Sequence, residues 1–70
     1  MNVVFTEHAK EKLSRRKILE EEVYDAIRYP NHIIKKYGKY YFQKRLDRGI
    51  IELVCEMTER DLKVITLYWM

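Results

Sequence analysis

Pro30 divides this chain in two. It is the only proline among 70 residues, it discourages a helix from running through Tyr29, and the hydrophobic rhythm differs on its two sides. After it, β-branched and aromatic residues alternate with polar ones in "HIIKKY", "KYYFQKRL", "IIELVCEM" and "LKVITLYW", with breaks at Gly38, "DRG" and "TERD". Alternation at period two calls for half-buried strands, so the second part reads as a four-stranded antiparallel meander. Before Pro30 the spacing is helical. One helix is expected from about Glu7 to Lys17, with Thr6 as N-cap and Glu7 in the first turn. A second begins near Glu20, where three glutamates suit a helix N-terminus, and passes through Val23, Ala26 and Ile27 to Tyr29. The expected fold is a small α+β domain, two N-terminal helices packed on a four-stranded antiparallel sheet, with "VVF" offering a short extra strand at its edge.

A chain this short buries only about 60% of the surface that its unfolded form exposes. With no repeat, no low-complexity tract and no Gly/Ser/Pro-rich linker, residues 1–70 read as one domain, for which dimerisation or a partner is a natural stabiliser. Cys55 is the single cysteine, which excludes a disulfide within the chain; in its apolar run it reads as a small buried hydrophobe more readily than as a reactive thiol. The N-terminus lacks a signal pattern and no stretch approaches the roughly 18 apolar residues of a membrane span, so the expectation is a cytoplasmic protein with no membrane partner. His8, His32 and Cys55 do not make a zinc spacing, and no phosphate-cradling loop or Ser/His/Asp arrangement is present. No metal or cofactor is expected.

The formal net charge is +3 and the sequence pI is about 9.1, a balance that favours polyanionic partners without requiring them. On the first helix His8, Lys12 and Arg15 share one stripe, with Arg16 at its border beside the core-facing Ala9 and Leu13. Cations around an imidazole favour its neutral, proton-accepting form and also hold phosphate; a solvated basic face is the other reading. On the strand "YYFQKRLDR", Tyr41, Gln43 and Arg45 project to one side, with Lys44 and Arg48 nearby. Aromatic rings interleaved with arginines stack bases and bind phosphates. Equally, Arg45 facing Glu52 would be a cross-strand pair and the tyrosines good strand formers.

Taking the turns at face value sets Leu46 opposite Ile51 and Phe42 opposite Cys55, and aligns Cys55 and Leu53 with Val64, Thr66 and Tyr68. On this register Leu67 and Trp69 share the other face with Tyr41, Gln43 and Arg45, and Tyr68 lies on the side opposite Arg45. The bulky ending "VITLYWM" implies a packed last strand or a partner surface.

Taken in order, "HAKEKLSRRKI", "EEEVYDAIRYP", "YYFQKR" and "ITLY" resemble the DUF4258 family, whose members are similar to RelE/ParE-like and BrnT-like small toxins. The family's opening motif falls on His8, Ala9, Lys12, Arg16 and Ile18, its later arginine on Arg45, and its Thr-x-Tyr ending on Thr66 and Tyr68. Lys17 stands where the family has a helix-ending glycine, and Leu19 where it has a Ser or Thr cap. The resemblance implies a RelE-like fold and a toxin-type, metal-independent endoribonuclease, in which the RNA's own 2′-hydroxyl attacks the adjacent phosphate. It makes His8 the base or acid, Arg16 and Arg45 the charge stabilisers, and Tyr68 a proton donor or stacking group. Lys12, Arg15, Tyr41, Gln43, Lys44 and Arg48 would then bind RNA, and an antitoxin protein would be the partner. Relatives on the same fold also include gyrase-targeting toxins. The rival reading is a non-catalytic nucleic-acid-binding or homodimerising domain.

Overall fold

The computed structural model of the chain describes residues 2–70. The elements are β1 (Asn2–Phe5), α1 (Glu7–Arg16), α2 (Glu20–Arg28), β2 (His32–Lys36), β3 (Lys39–Leu46), β4 (Gly49–Met57) and β5 (Asp61–Trp69). The expected meander is β2 to β5, each strand antiparallel to the next. "VVF" does add a strand, and it pairs with β5 in parallel. The sheet is therefore five-stranded and mixed, in the order β1-β5-β4-β3-β2, not four-stranded and purely antiparallel. Among the described residues no helix is long and apolar enough to cross a membrane.

Local chemistry explains the helix ends. Thr6 Oγ1 accepts the Ala9 N–H at 3.0 Å and donates to the Ile65 carbonyl at 2.9 Å, so one hydroxyl caps α1 and ties it to β5. At the other end Lys17 adopts the left-handed conformation itself, with φ 55, a geometry that suits glycine and costs a lysine about 1 kcal/mol. Leu19 has no acceptor to offer α2; instead Glu22 reaches back and accepts the Leu19 N–H at 2.9 Å, half of a capping box.

Both helices cover one face of the sheet. Ala9, Ile18, Val23 and Ala26 meet Phe42, Ile51, Leu53, Cys55, Leu62, Val64 and Leu67 in one buried cluster. α1 packs on β5 and β1, whereas α2 packs on β3.

Two register expectations are corrected. In the β3–β4 hairpin Asp47 and Arg48 alone make the turn, so Leu46 pairs with Gly49 and Phe42 with Leu53, a shift of two residues. An even shift keeps every side chain on its expected face, but it pairs Arg45 with Ile50 and gives Glu52 to Gln43. Gly49, at φ 143, suits the conformation and the space, because a Cβ there would meet the Trp69 ring at 3.3 Å.

The second correction changes faces. Cys55 pairs with Val64 but its neighbour Val54 pairs with Thr66, leaving Ile65 as the extra residue of a β-bulge. Beyond the bulge the alternation is inverted. Leu67 and Trp69 point into the core, where Leu67 is fully buried, and Thr66 and Tyr68 share the uncovered face with Glu52 and Val54. Tyr68 is therefore on the same face as Arg45.

Candidate functional site

Among the described residues no element covers the far face of the sheet, and cross-strand pairing arranges its side chains in rows. One row runs Tyr68, Glu52, Gln43, His32 across β5, β4, β3 and β2. It is hydrogen-bonded through the carboxylate: Tyr68 Oη donates to Glu52 Oε1, and Gln43 Nε2 donates to Glu52 Oε2 at 2.7 Å. Burial, the bond to Glu52 and the nearby negative charge push the Tyr68 phenol up to about 12. Tyr68 thus remains a proton donor to Glu52 through neutral pH.

The next row, Thr66, Val54, Tyr41 and Ile34, is largely apolar. Ile34, Lys36, Tyr37, Tyr41 and Glu52 line a shallow cleft of about 200 Å³. Tyr37 sits at the tip of the β2–β3 turn, 83% exposed, with Lys36 Nζ 5.3 Å from its ring centre. On the other side of the row a cleft of about 420 Å³ is lined by His32, Gln43, Arg45, Ile50 and Met70 among others, a size that suits a nucleotide-sized ligand. Arg45 donates its backbone N–H to Asn31 Oδ1 at 2.7 Å, and its exposed guanidinium has no partner among the described residues.

Other basic residues singled out by sequence are tied into the fold by hydrogen bonds and ion pairs. Arg16 donates to the Leu67 carbonyl at 3.1 Å, and its own carbonyl accepts Trp69 Nε1–H at 3.0 Å. It closes the part of the β5 edge that β1 leaves unpaired. Arg48 pairs with Glu22, donates to the Lys17 carbonyl at 3.1 Å and lies 5.1 Å from the Trp69 ring centre, so it holds the α1–α2 turn to the sheet. Lys44 faces the helices, donating to the Tyr29 carbonyl at 2.8 Å with Asp25 at 3.6 Å.

His8, Lys12 and Arg15 lie on the side of α1 opposite the Lys10, Ser14 and Lys17 cleft that meets α2. Arg15 is bonded to Glu11 at 2.8 Å and His8 is exposed. α1 packs on β5, two strands from the strand that carries Arg45 and on the opposite face of the sheet. The structure thus joins Tyr68, Gln43, Tyr41 and Arg45 on one face and leaves His8, Lys12, Arg15 and Arg16 on another surface.

Glu52 and His32 complete the row and escaped the sequence reading. The shifted register matches Glu52 to Arg45, although its outward place in the apolar run "IIELVCEM" is a usable signal. Among the described residues no cluster of three or more His, Cys, Asp or Glu side chains is placed to hold a metal ion. Residues 5–69 match the family model of DUF4258, a domain of unknown function. No curated protein and no solved structure matches the chain significantly.

Proposed function

The chain belongs to DUF4258, a domain family of unknown function, and we propose that it is a RelE-like, toxin-type module that cleaves RNA on the uncovered face of its sheet. The observation that carries this reading is the hydrogen-bonded Tyr68–Glu52–Gln43 row beside the free guanidinium of Arg45. RNA cleavage by its own 2′-hydroxyl needs a proton acceptor, a cation for the charge developing on phosphorus, and a donor for the departing oxygen.

In this reading Arg45 holds the scissile phosphate in the cleft that it shares with His32. Glu52, held by Tyr68 and Gln43, takes the 2′-hydroxyl proton. The 2′-oxygen bonds to phosphorus, the bond to the 5′-oxygen breaks, and His32 supplies the proton to that leaving oxygen. A 2′,3′-cyclic phosphate and a 5′-hydroxyl result. Glu52 and His32 stand two strands apart with Gln43 between them, roughly 10 Å of backbone separation, so a phosphate that reaches both would lie over Gln43. Tyr37 and Tyr41 offer rings on which neighbouring bases stack. An antitoxin protein that masks this face completes the toxin-type reading.

The test is incubation of purified protein with single-stranded RNA at low salt, with analysis of the new ends. Cyclic phosphate ends are expected, with the rate falling about a hundredfold or more in Glu52→Gln and Arg45→Ala, and with His8→Ala close to wild type. Growth arrest on induction in a bacterial host should vanish in the same two variants. RNA that is retained but left intact would replace this reading with a non-catalytic binding domain. RNA that is ignored altogether, with normal growth, would remove RNA from the account.

A further inference from the structure

β2 is an outermost strand of the sheet and all five of its residues are exposed. It joins β3 through the two-residue turn Tyr37–Gly38, both at positive φ (54 and 74), which closes on the pair Lys36–Lys39. In a two-residue hairpin the closing pair exchanges main-chain hydrogen bonds, and so does every second pair beyond it. Lys36, Ile34 and His32 therefore turn their main-chain groups toward β3, whereas Ile33 and Lys35 turn theirs outward. Free donors and acceptors at strand spacing are a template for another strand. Ile33 and Ile34, 52% and 44% exposed on opposite faces, add apolar contact above and below that edge.

The charge around this edge is one-sided. Between Tyr29 and Leu46 the chain carries Lys35, Lys36, Lys39, Lys44 and Arg45 and no Asp or Glu. Lys39 and Lys44 have carboxylate partners elsewhere, Glu56 at 3.5 Å and Asp25 at 3.6 Å. Lys35 and Lys36 have no ion-pair partner among the described residues and lie over aromatic rings, those of Tyr40 at 5.5 Å and Tyr37 at 5.3 Å. A second copy of the same edge would bring further lysines to it, and lysines on an edge strand oppose self-pairing. An RNA would satisfy the charge but has no peptide backbone to match the outward N–H and C=O groups.

We propose that β2 is the docking edge for an extended acidic segment of a partner protein, which adds to the sheet as a sixth strand. Main-chain hydrogen bonds to Ile33 and Lys35 supply the attachment, and carboxylates facing Lys35 and Lys36 supply the selectivity. This inference is independent of the RNA reading, because it uses the strand edge and not the face.

The probe is a ten-residue, end-capped peptide of repeating Glu-Glu-Val-Val, which places carboxylates on both faces of a strand as Lys35 and Lys36 require, with its Lys-Lys-Val-Val counterpart as control. Amide exchange of the labelled full chain is followed by NMR. The glutamate peptide is expected to slow exchange at Ile33 and Lys35 by at least about tenfold, with no such effect from the lysine peptide. Lys35→Glu with Lys36→Glu should invert that preference. Ile33→Pro removes an outward N–H without costing a β2–β3 bond and should abolish the protection, while unchanged slow exchange at Tyr41, the partner of Ile34, verifies that β2 stays in the sheet. Equal binding of both peptides, protection confined to other strands, or dimerisation through β2 without peptide would overturn the inference, as would a single-stranded RNA that protects these amides better than the peptide. RNA cleavage is read on the same samples, so loss of one result leaves the other intact.

Discussion

Deleting Ile65 should leave both faces of the sheet as they are, although removing one residue from a strand ordinarily turns every later side chain over. Ile65 is the extra residue of the bulge: Val64 pairs with Cys55 and Thr66 with Val54, so its removal joins two residues that already oppose neighbours on β4. What is lost is the partial burial of one isoleucine, roughly 1 kcal/mol or half the value of a fully buried side chain. The hydrogen bond from Thr6 Oγ1 to the Ile65 carbonyl adds about 1 kcal/mol. The total, about 2 kcal/mol, compares with roughly 4–10 kcal/mol for a domain of this length and corresponds to a fall in Tm of about 8–16 °C. Urea unfolding followed by Trp69 fluorescence measures it directly, since Trp69 is the only tryptophan. The opposite outcome is a folded deletion variant with the emission of a solvent-exposed indole, or one in which Tyr68 titrates as an ordinary phenol. Either result would mean that Trp69 and Tyr68 had exchanged faces.

Tyr68 makes stability fall in alkali. Its folded value lies near 12 against an ordinary 10, so the unfolded chain releases this proton first; its contribution is whole below pH 10 and is lost as pH rises from 10 to 12. Urea midpoints across that range should drop less steeply for Tyr68→Phe than for wild type. Arg48→Ala removes the bonds to Glu22 and the Lys17 carbonyl and the contact with Trp69, and should cost about 1–2 kcal/mol by thermal melting. Burial pushes the Glu22 carboxyl up, but the Arg48 guanidinium and the Leu19 N–H outweigh it and hold Glu22 below its usual range; the same variant should raise its titration midpoint by NMR. Cys55 is fully buried and its thiol is pushed up to about 12 by burial, so a thiol reagent at pH 8 should modify it only in denaturant. Prompt modification of the folded chain would contradict that burial.

The helices and the meander were legible because their signals are local. Thr6 has the side chain that a cap requires, Pro30 stops α2, and Gly38 and Gly49 sit at the two tight hairpins. The register was less legible. Counting from the "DRG" turn placed the β3–β4 pairing two residues off, since composition alone does not say which two of those three residues form the turn. The bulge left a stronger mark than alternation reveals: Val64 and Leu67 are both buried, three residues apart, which a regular strand does not permit on one face. The structural bonds of the basic residues were illegible for a related reason. Arg16 and Arg48 look like free cations in a sequence, but helix and turn carbonyls and an unpaired strand edge need donors, and long guanidinium side chains reach them. Glu52 and His32 were missed because the row joining them to Tyr68 exists only once three strand registers are known.

That row takes one side chain from each of four strands, at positions 32, 43, 52 and 68. None of its members is near another along the backbone, so no fragment shorter than β2 to β5 contains it, and a chain that has formed only its helices and one hairpin has none of its geometry. Every loop closure between β2 and β5 must be complete before the phenol, carboxylate, amide and imidazole are neighbours. The arrangement therefore arises only with the last pairing among these four strands and disappears with the first of them to detach.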